Sequence, residues 1–129
     1  MAKRAVLSKS EMEIAQVLWK LGEASAREVT EALPKSRKLD FSTVQTYLSR
    51  LENKRYVRSK LVGRAKVYRS SVKPQQVVRE AVDDFVKLLF GGEKIPLVRH
   101  LVSDTDVSKE DLAELRALLE KMEAESDAE

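Results

Sequence analysis

Between residues 42 and 53 the side chains opposite the apolar ones are Gln45, Thr46, Ser49, Arg50 and Asn53, with Ser42 and Thr43 leading in. None is acidic. Gln can pair with adenine through two hydrogen bonds and Arg with guanine, Ser and Thr suit a base edge or a phosphate, and the Thr methyl can touch thymine. Shortly afterwards Lys60, Arg64 and Lys66 add cations with no carboxylate among them. The chemistry this set suits is recognition of a polyanion with readable edges. Catalysis is poorly served. There is no cysteine, and the sole histidine, His100, sits in an apolar context without a triad pattern, where a packed or solvent-facing ring is the ordinary outcome. No P-loop, dinucleotide fingerprint or zinc-binding His pair occurs, so an enzyme is not expected, nor a cofactor, nor a metal.

Elements able to position these residues can be read from spacing. Val44, Tyr47, Leu48 and Leu51 recur at i, i+3, i+4 and i+7, which predicts a helix with one apolar face. Ser42 is the expected N-cap, in a capping box with Gln45, and Phe41 the expected hydrophobic staple ahead of it. After Tyr56 the period becomes two. Val57, Ser59 and Leu61 should lean inward and Arg58 and Lys60 outward; Gly63 permits a tight turn, and Ala65 to Tyr68 return as a second strand. A simpler reading of the basic hairpin is protection of an exposed strand edge against aggregation. The neighbouring polar helix favours a wing that touches nucleic acid.

Upstream, Ser8 with Glu11 and Ser25 with Glu28 form two capping boxes. The first opens a helix to about Leu21, stopped by Gly22, and the second a short helix that buries Ala26, Val29, Ala32 and Leu33 and ends at Pro34. Three helices and a hairpin make a winged helix-turn-helix. Trp19 and the tyrosines at 47, 56 and 68 read as core or rim residues rather than stacking platforms. Downstream, a helix from Pro74 carries Val78, Val82, Phe85 and Leu89 on one face and ends at Gly91 and Gly92. A short helix around Pro96 carries Leu97, Val98, Leu101 and Val102. The last, capped by Ser108 with Asp111, carries Leu112, Leu115, Leu118, Leu119 and Met122, and its tail is expected to fray. Apolar faces this wide suggest burial against a second copy, with Val78, Val82, Phe85, Leu89, Leu101, Leu115 and Leu119 at the contact. The alternative is a helical subdomain that folds back on its own winged helix.

The expected fold is therefore mainly α, a winged helix-turn-helix over residues 1–72 followed by a helical dimerisation region over 73–129. Charge divides along nearly the same line. Residues 1–70 hold 16 Lys or Arg against 7 Asp or Glu, a balance of +9, whereas 71–129 hold 8 against 14, a balance of −6, for a whole of +3. Only the first half is suited to approach a polyanion. With 129 residues, no signal-peptide pattern and no run of 18 apolar residues, membrane insertion is not expected and a cytoplasmic location is.

Taken in order, LSKSEMEIAQVLWKLGEASAREVTEAL, FSTVQTYLSRLENKRYV, GRAKVYRS, FVKLLFGG and DVSKEDLAELRALLEKM resemble the penicillinase-repressor family of bacterial regulators, the BlaI/MecI/CopY group, from about Leu7 to Met122. The resemblance implies a homodimeric repressor on a palindromic double-stranded DNA operator, with Thr43, Gln45 and Thr46 on the recognition helix, and Gln45 in a slot associated with Lys. It also implies, for signalled members, a membrane metallopeptidase sensor system as partner. Two departures bear on induction. The Asn-Phe pair at which β-lactam-responsive members are cleaved is missing from the comparable segment, LVRHLV, and the cysteine ligands of the copper-responsive branch are absent. The competing functional reading is a winged-helix protein interaction module without DNA binding, which nothing in residues 42–70 requires.

Overall fold

The structure, a computed structural model, describes residues 4–104 and 106–128. The chain divides into two compact units, Met1–Asp83 and Asp84–Glu129. In the first, helix α1 (Lys9–Leu21) is followed by strand β1 (Glu23–Ser25), helix α2 (Ala26–Ala32), a single 3-10 turn (Lys35–Arg37), helix α3 (Phe41–Asn53), and a hairpin of β2 (Val57–Val62) and β3 (Ala65–Ser70). Helix α4 (Pro74–Phe90) begins in this unit and ends in the other.

Both upstream capping boxes form. The Ser8 hydroxyl accepts from the Glu11 N–H while the Ser8 N–H donates to the Glu11 carboxylate at 2.7 Å, and Ser25 with Glu28 repeats the arrangement. Gly22 closes α1 at φ +81°, a conformation that a side chain would strain. Between the helices Ile14, Leu18, Val29, Val44, Leu48 and Leu51 are fully buried, and Tyr56, Tyr68 and Val77 join the same core. Trp19 packs against its edge, as its place off the apolar stripe suggests.

Glu11 does more than cap. It is buried, and Lys54, just past the end of α3, donates to its Oε1 at 2.7 Å, so that one carboxylate joins the start of α1 to the finish of the third helix. The same end of α3 is wound into a Schellman turn. The Tyr56 N–H reaches the Leu51 carbonyl and the Arg55 N–H the Glu52 carbonyl, with Arg55 left-handed at φ +69°.

Three local expectations are corrected, and one unexpected strand appears. The N-cap of α3 is Asp40, not Ser42; its carboxylate accepts from the Thr43 N–H at 3.0 Å, so no capping box with Gln45 forms and Phe41 becomes the first helical residue instead of a staple. Ala32 is exposed, because α2 is only two turns long and faces the core with Ala26 and Val29. Leu61 is 74% exposed: inward alternation holds at Val57 and Ser59, but the hairpin runs past the core before Leu61 is reached. The third strand, β1, has no expected counterpart. It pairs antiparallel with β3, Ala24 opposite Tyr68, giving the order β1-β3-β2.

In the second unit, α5 (Lys94–Ser103) and α6 (Lys109–Asp127) follow the end of α4. Ser108 caps α6 by accepting from the Asp111 N–H. The tail expected to fray stays helical to Asp127, which its Glu and Ala content favours. Val86 is buried, Phe90 lies edge-on to Phe85 with centroids 6.4 Å apart, and the exposed His100 ring faces Phe90 and meets Asp104 through Nδ1 at 2.6 Å. Most other apolar side chains of α4 to α6 remain open to solvent.

Burial pushes the Glu11 carboxyl up, but hydrogen bonds from Lys54 and Ser8, with the Lys54 charge, outweigh it and leave the group below its ordinary value of 4.5. A carboxyl that is a stronger acid when folded contributes stability above the ordinary value and loses that contribution as pH falls through the lowered one. Glu11→Gln should therefore cost about 1–3 kcal/mol in urea unfolding at neutral pH. The gap to the parent chain should narrow below pH 4.5, and a gap that stays constant into acid would show that the carboxylate charge is not what stabilises the joint.

Candidate nucleic-acid interface

Once Val44, Leu48 and Leu51 are buried, the helical period leaves Ser42, Gln45, Thr46, Ser49 and Arg50 exposed along one side of α3, with Thr43 half-buried in its first turn. Their hydrogen-bonding capacity is already partly committed. Thr46 donates its hydroxyl to the Ser42 carbonyl at 3.0 Å, leaving its oxygen as acceptor and its methyl free for an apolar contact. Ser42 inclines toward Asp40 at 3.4 Å. The Arg50 guanidinium lies over the Tyr47 ring, 5.6 Å from its centroid, which restrains it on the helix surface.

The wing closes with a two-residue connection, Gly63 and Arg64, between Val62 and Ala65; Gly63 takes φ +65°, as the first position of a tight hairpin turn requires. Sheet alternation then separates the cations. Lys66 pairs across from Leu61 on the side facing α3, whereas Lys60 belongs to the opposite side and makes an ion pair with Glu23 of β1 at 3.3 Å. Gln45, Arg64 and Lys66 meet around one open groove of about 530 Å³, whose walls also include Ser25, Arg27, Phe41, Leu61 and Tyr68. Of the nine residues expected at the interface, Lys60 is thus the one set on another surface.

Glu52 is the residue that sequence reasoning passed over. On the wing side of α3 its carboxylate accepts from the Ser59 hydroxyl and lies 3.5 Å from Lys66 Nζ, so it ties the wing to the helix and offsets one wing cation. Nothing local marks it, because its partners lie across a turn and on two strands. Asp40 could have been found: Asp caps as well as Ser, and it stands three residues before Thr43. Its carboxyl is held below the usual range by the hydrogen bonds from Thr43, so the cap acts at neutral pH and is lost only in acid. Among the described residues no group of three or more His, Asp or Glu side chains is placed to hold a metal ion.

The chain matches the family profile described as penicillinase repressor over residues 7–121. It belongs to that family. Family members are DNA-binding transcriptional repressors, not enzymes, and the order of helices and wing agrees. The penicillinase repressor of Bacillus licheniformis is 26% identical over 121 residues, 94% of each chain, and that of Staphylococcus aureus 22% identical over 117 residues, 91% of this chain and 93% of the relative. The solution structure of the DNA-binding domain of the repressor BlaI superposes with a TM-score of 0.50 at 31% identity, covering 57% of this chain and 90% of that one. The winged helix of the family is thus the one described here.

Glu52→Gln should leave the fold intact and release Lys66. Binding to a random-sequence duplex at low salt should tighten by roughly two- to five-fold, the worth of one surface charge pair, and its dependence on salt should steepen. Unchanged anisotropy titrations would show that Lys66 lies outside the nucleic-acid contact.

Proposed function

We propose that this member of the penicillinase repressor family is a homodimer that binds a palindromic operator, reading base edges with Gln45, Thr46, Ser49 and Arg50 and anchoring the backbone with Ser42, Thr43, Arg64 and Lys66. The observation that carries the reading is the exposed polar face of α3, whose one carboxylate, Glu52, is engaged by Ser59 and Lys66, beside a cationic wing tip. Lys60, on the other side of the sheet and paired with Glu23, fits a phosphate contact at the flank better than one inside the groove. Winged-helix residues up to 72 would form the DNA-binding domain and 73–129 the dimerisation region. A nucleic-acid target would suit a cytoplasmic location; no helix among the described residues is long and apolar enough to cross a membrane.

Dimerisation is supported by what the later helices leave uncovered. Val78, Val82, Phe85 and Leu89 recur at helical spacing on α4, each between 46% and 58% exposed, and Leu101 of α5 and Leu119 of α6 are likewise open, with Leu115 half-buried. Isolated apolar side chains are common on surfaces, but series of them on successive helices mark a contact. An inducing signal relayed by a membrane metallopeptidase sensor would need a cleavage site other than Asn-Phe, since the segment around His100 lacks that pair. The competing interaction-module reading gains no specific support from α3 or the wing.

Arg50→Ala should lower affinity for a duplex from upstream of the protein's own gene by about 1–3 kcal/mol while changing random-sequence binding little, as expected for a guanidinium on a base. Equal losses on both duplexes would move Arg50 to the backbone. Leu119→Glu should give monomers by sedimentation, and footprints of the parent chain should show two half-sites about one helical turn, or a multiple of it, apart. A single isolated half-site would contradict the dimer.

A further inference from the structure

The groove beside α3 contains two features that base reading and the wing cations do not use. Phe41, displaced from its expected staple position, stands 39% exposed in the groove wall, and Leu61 is a second open apolar residue of the same groove. Arg27 of α2 has its guanidinium 5.2 Å from the centroid of the Phe41 ring. Among the described residues neither Arg27 nor Arg64 has a carboxylate partner, whereas Lys66, the third cation lining the groove, is offset by Glu52. An exposed ring beneath an unpaired guanidinium contributes little to the core, but it restrains the side chain and so lowers the cost of ordering it around an anion. The ligand chemistry that fits two apolar walls and unpaired guanidinium groups is a sugar–phosphate strand, apolar on its deoxyribose faces and anionic at each phosphate.

We infer that Arg27, restrained by Phe41, clamps one backbone phosphate of a DNA strand lying in the groove between the start of α3 and the wing tip, with Phe41 and Leu61 against its deoxyribose. This inference rests on the DNA-binding reading above and adds to it a residue of α2 that neither the helix pattern nor the wing pattern selects. Arg27 is a backbone anchor and carries no sequence preference.

Anisotropy titrations at several potassium chloride concentrations, with the own-upstream duplex and a random-sequence duplex, test it. Arg27→Ala should weaken both duplexes in the same proportion, about tenfold, and reduce the slope of log affinity against log salt by about 0.9, one phosphate contact. Arg27→Lys should restore the slope. Phe41→Leu keeps the charge, so the slope should stay at the parent value while affinity falls by about two- to five-fold. Thermal melts by circular dichroism verify that each variant is folded. Parent-like slope and affinity in Arg27→Ala, while Arg50→Ala or Lys66→Ala still weakens binding, would overturn the clamp and leave the repressor reading standing. Parent affinity in Phe41→Leu would likewise remove the ring from the clamp. A parent chain that ignores every duplex would overturn both.

Discussion

The inner edge of α3 has no exposed surface at Val44, Leu48 or Leu51, and that burial determines how the helix is rotated in the domain. Turning it by one residue's angle would drive Gln45 or Ser49 into an apolar interior and lift a leucine into water, a change costing several kcal/mol. Both ends of the helix are pinned as well. Asp40 holds the first turn, and the Schellman turn with the Lys54–Glu11 joint holds the last. If this face reads a target as proposed, being held this firmly would cost it little freedom on binding, which is how preorganisation turns into affinity.

The carboxylates of the basic half explain why its surface can act as strongly cationic while containing seven acids. Glu11 is buried in its joint, Glu28 completes a capping box, Asp40 caps α3, and Glu13, Glu23 and Glu52 pair with Arg37, Lys60 and Lys66. Nearly every negative charge is thus committed to holding an element in place, and of the cations left without a carboxylate Arg27 and Arg64 line the groove. Solvent-exposed pairs of this sort add little stability. Their effect is to decide which basic side chains are available to phosphates.

The later helices show a different balance. Of these helices α6 has a side-chain cap at Ser108 and α5 has none, and Leu88, Leu89, Ile95, Leu118 and Met122 are each more than half exposed, so their apolar faces contribute little burial in a single chain. Second-copy burial would supply what the winged helix obtains from its own core.

Helix number and type, both upstream capping boxes, the hairpin and its turn at Gly63, and the polar face of α3 follow from the sequence alone, since periodicity, caps and turn chemistry act over a few residues. Family membership was equally legible, because it lies in the order and spacing of motifs. What only the tertiary structure decided involves residues far apart in the chain: β1 exists because Glu23–Ser25 finds the free edge of β3, Glu11 is buried because Lys54 arrives from 43 residues away, Glu52 offsets Lys66, and Leu61 is exposed because the hairpin outreaches the core. The local code is silent on these because an ion pair, a strand edge or a buried surface takes its energy from a neighbour that the chain supplies only after it has folded.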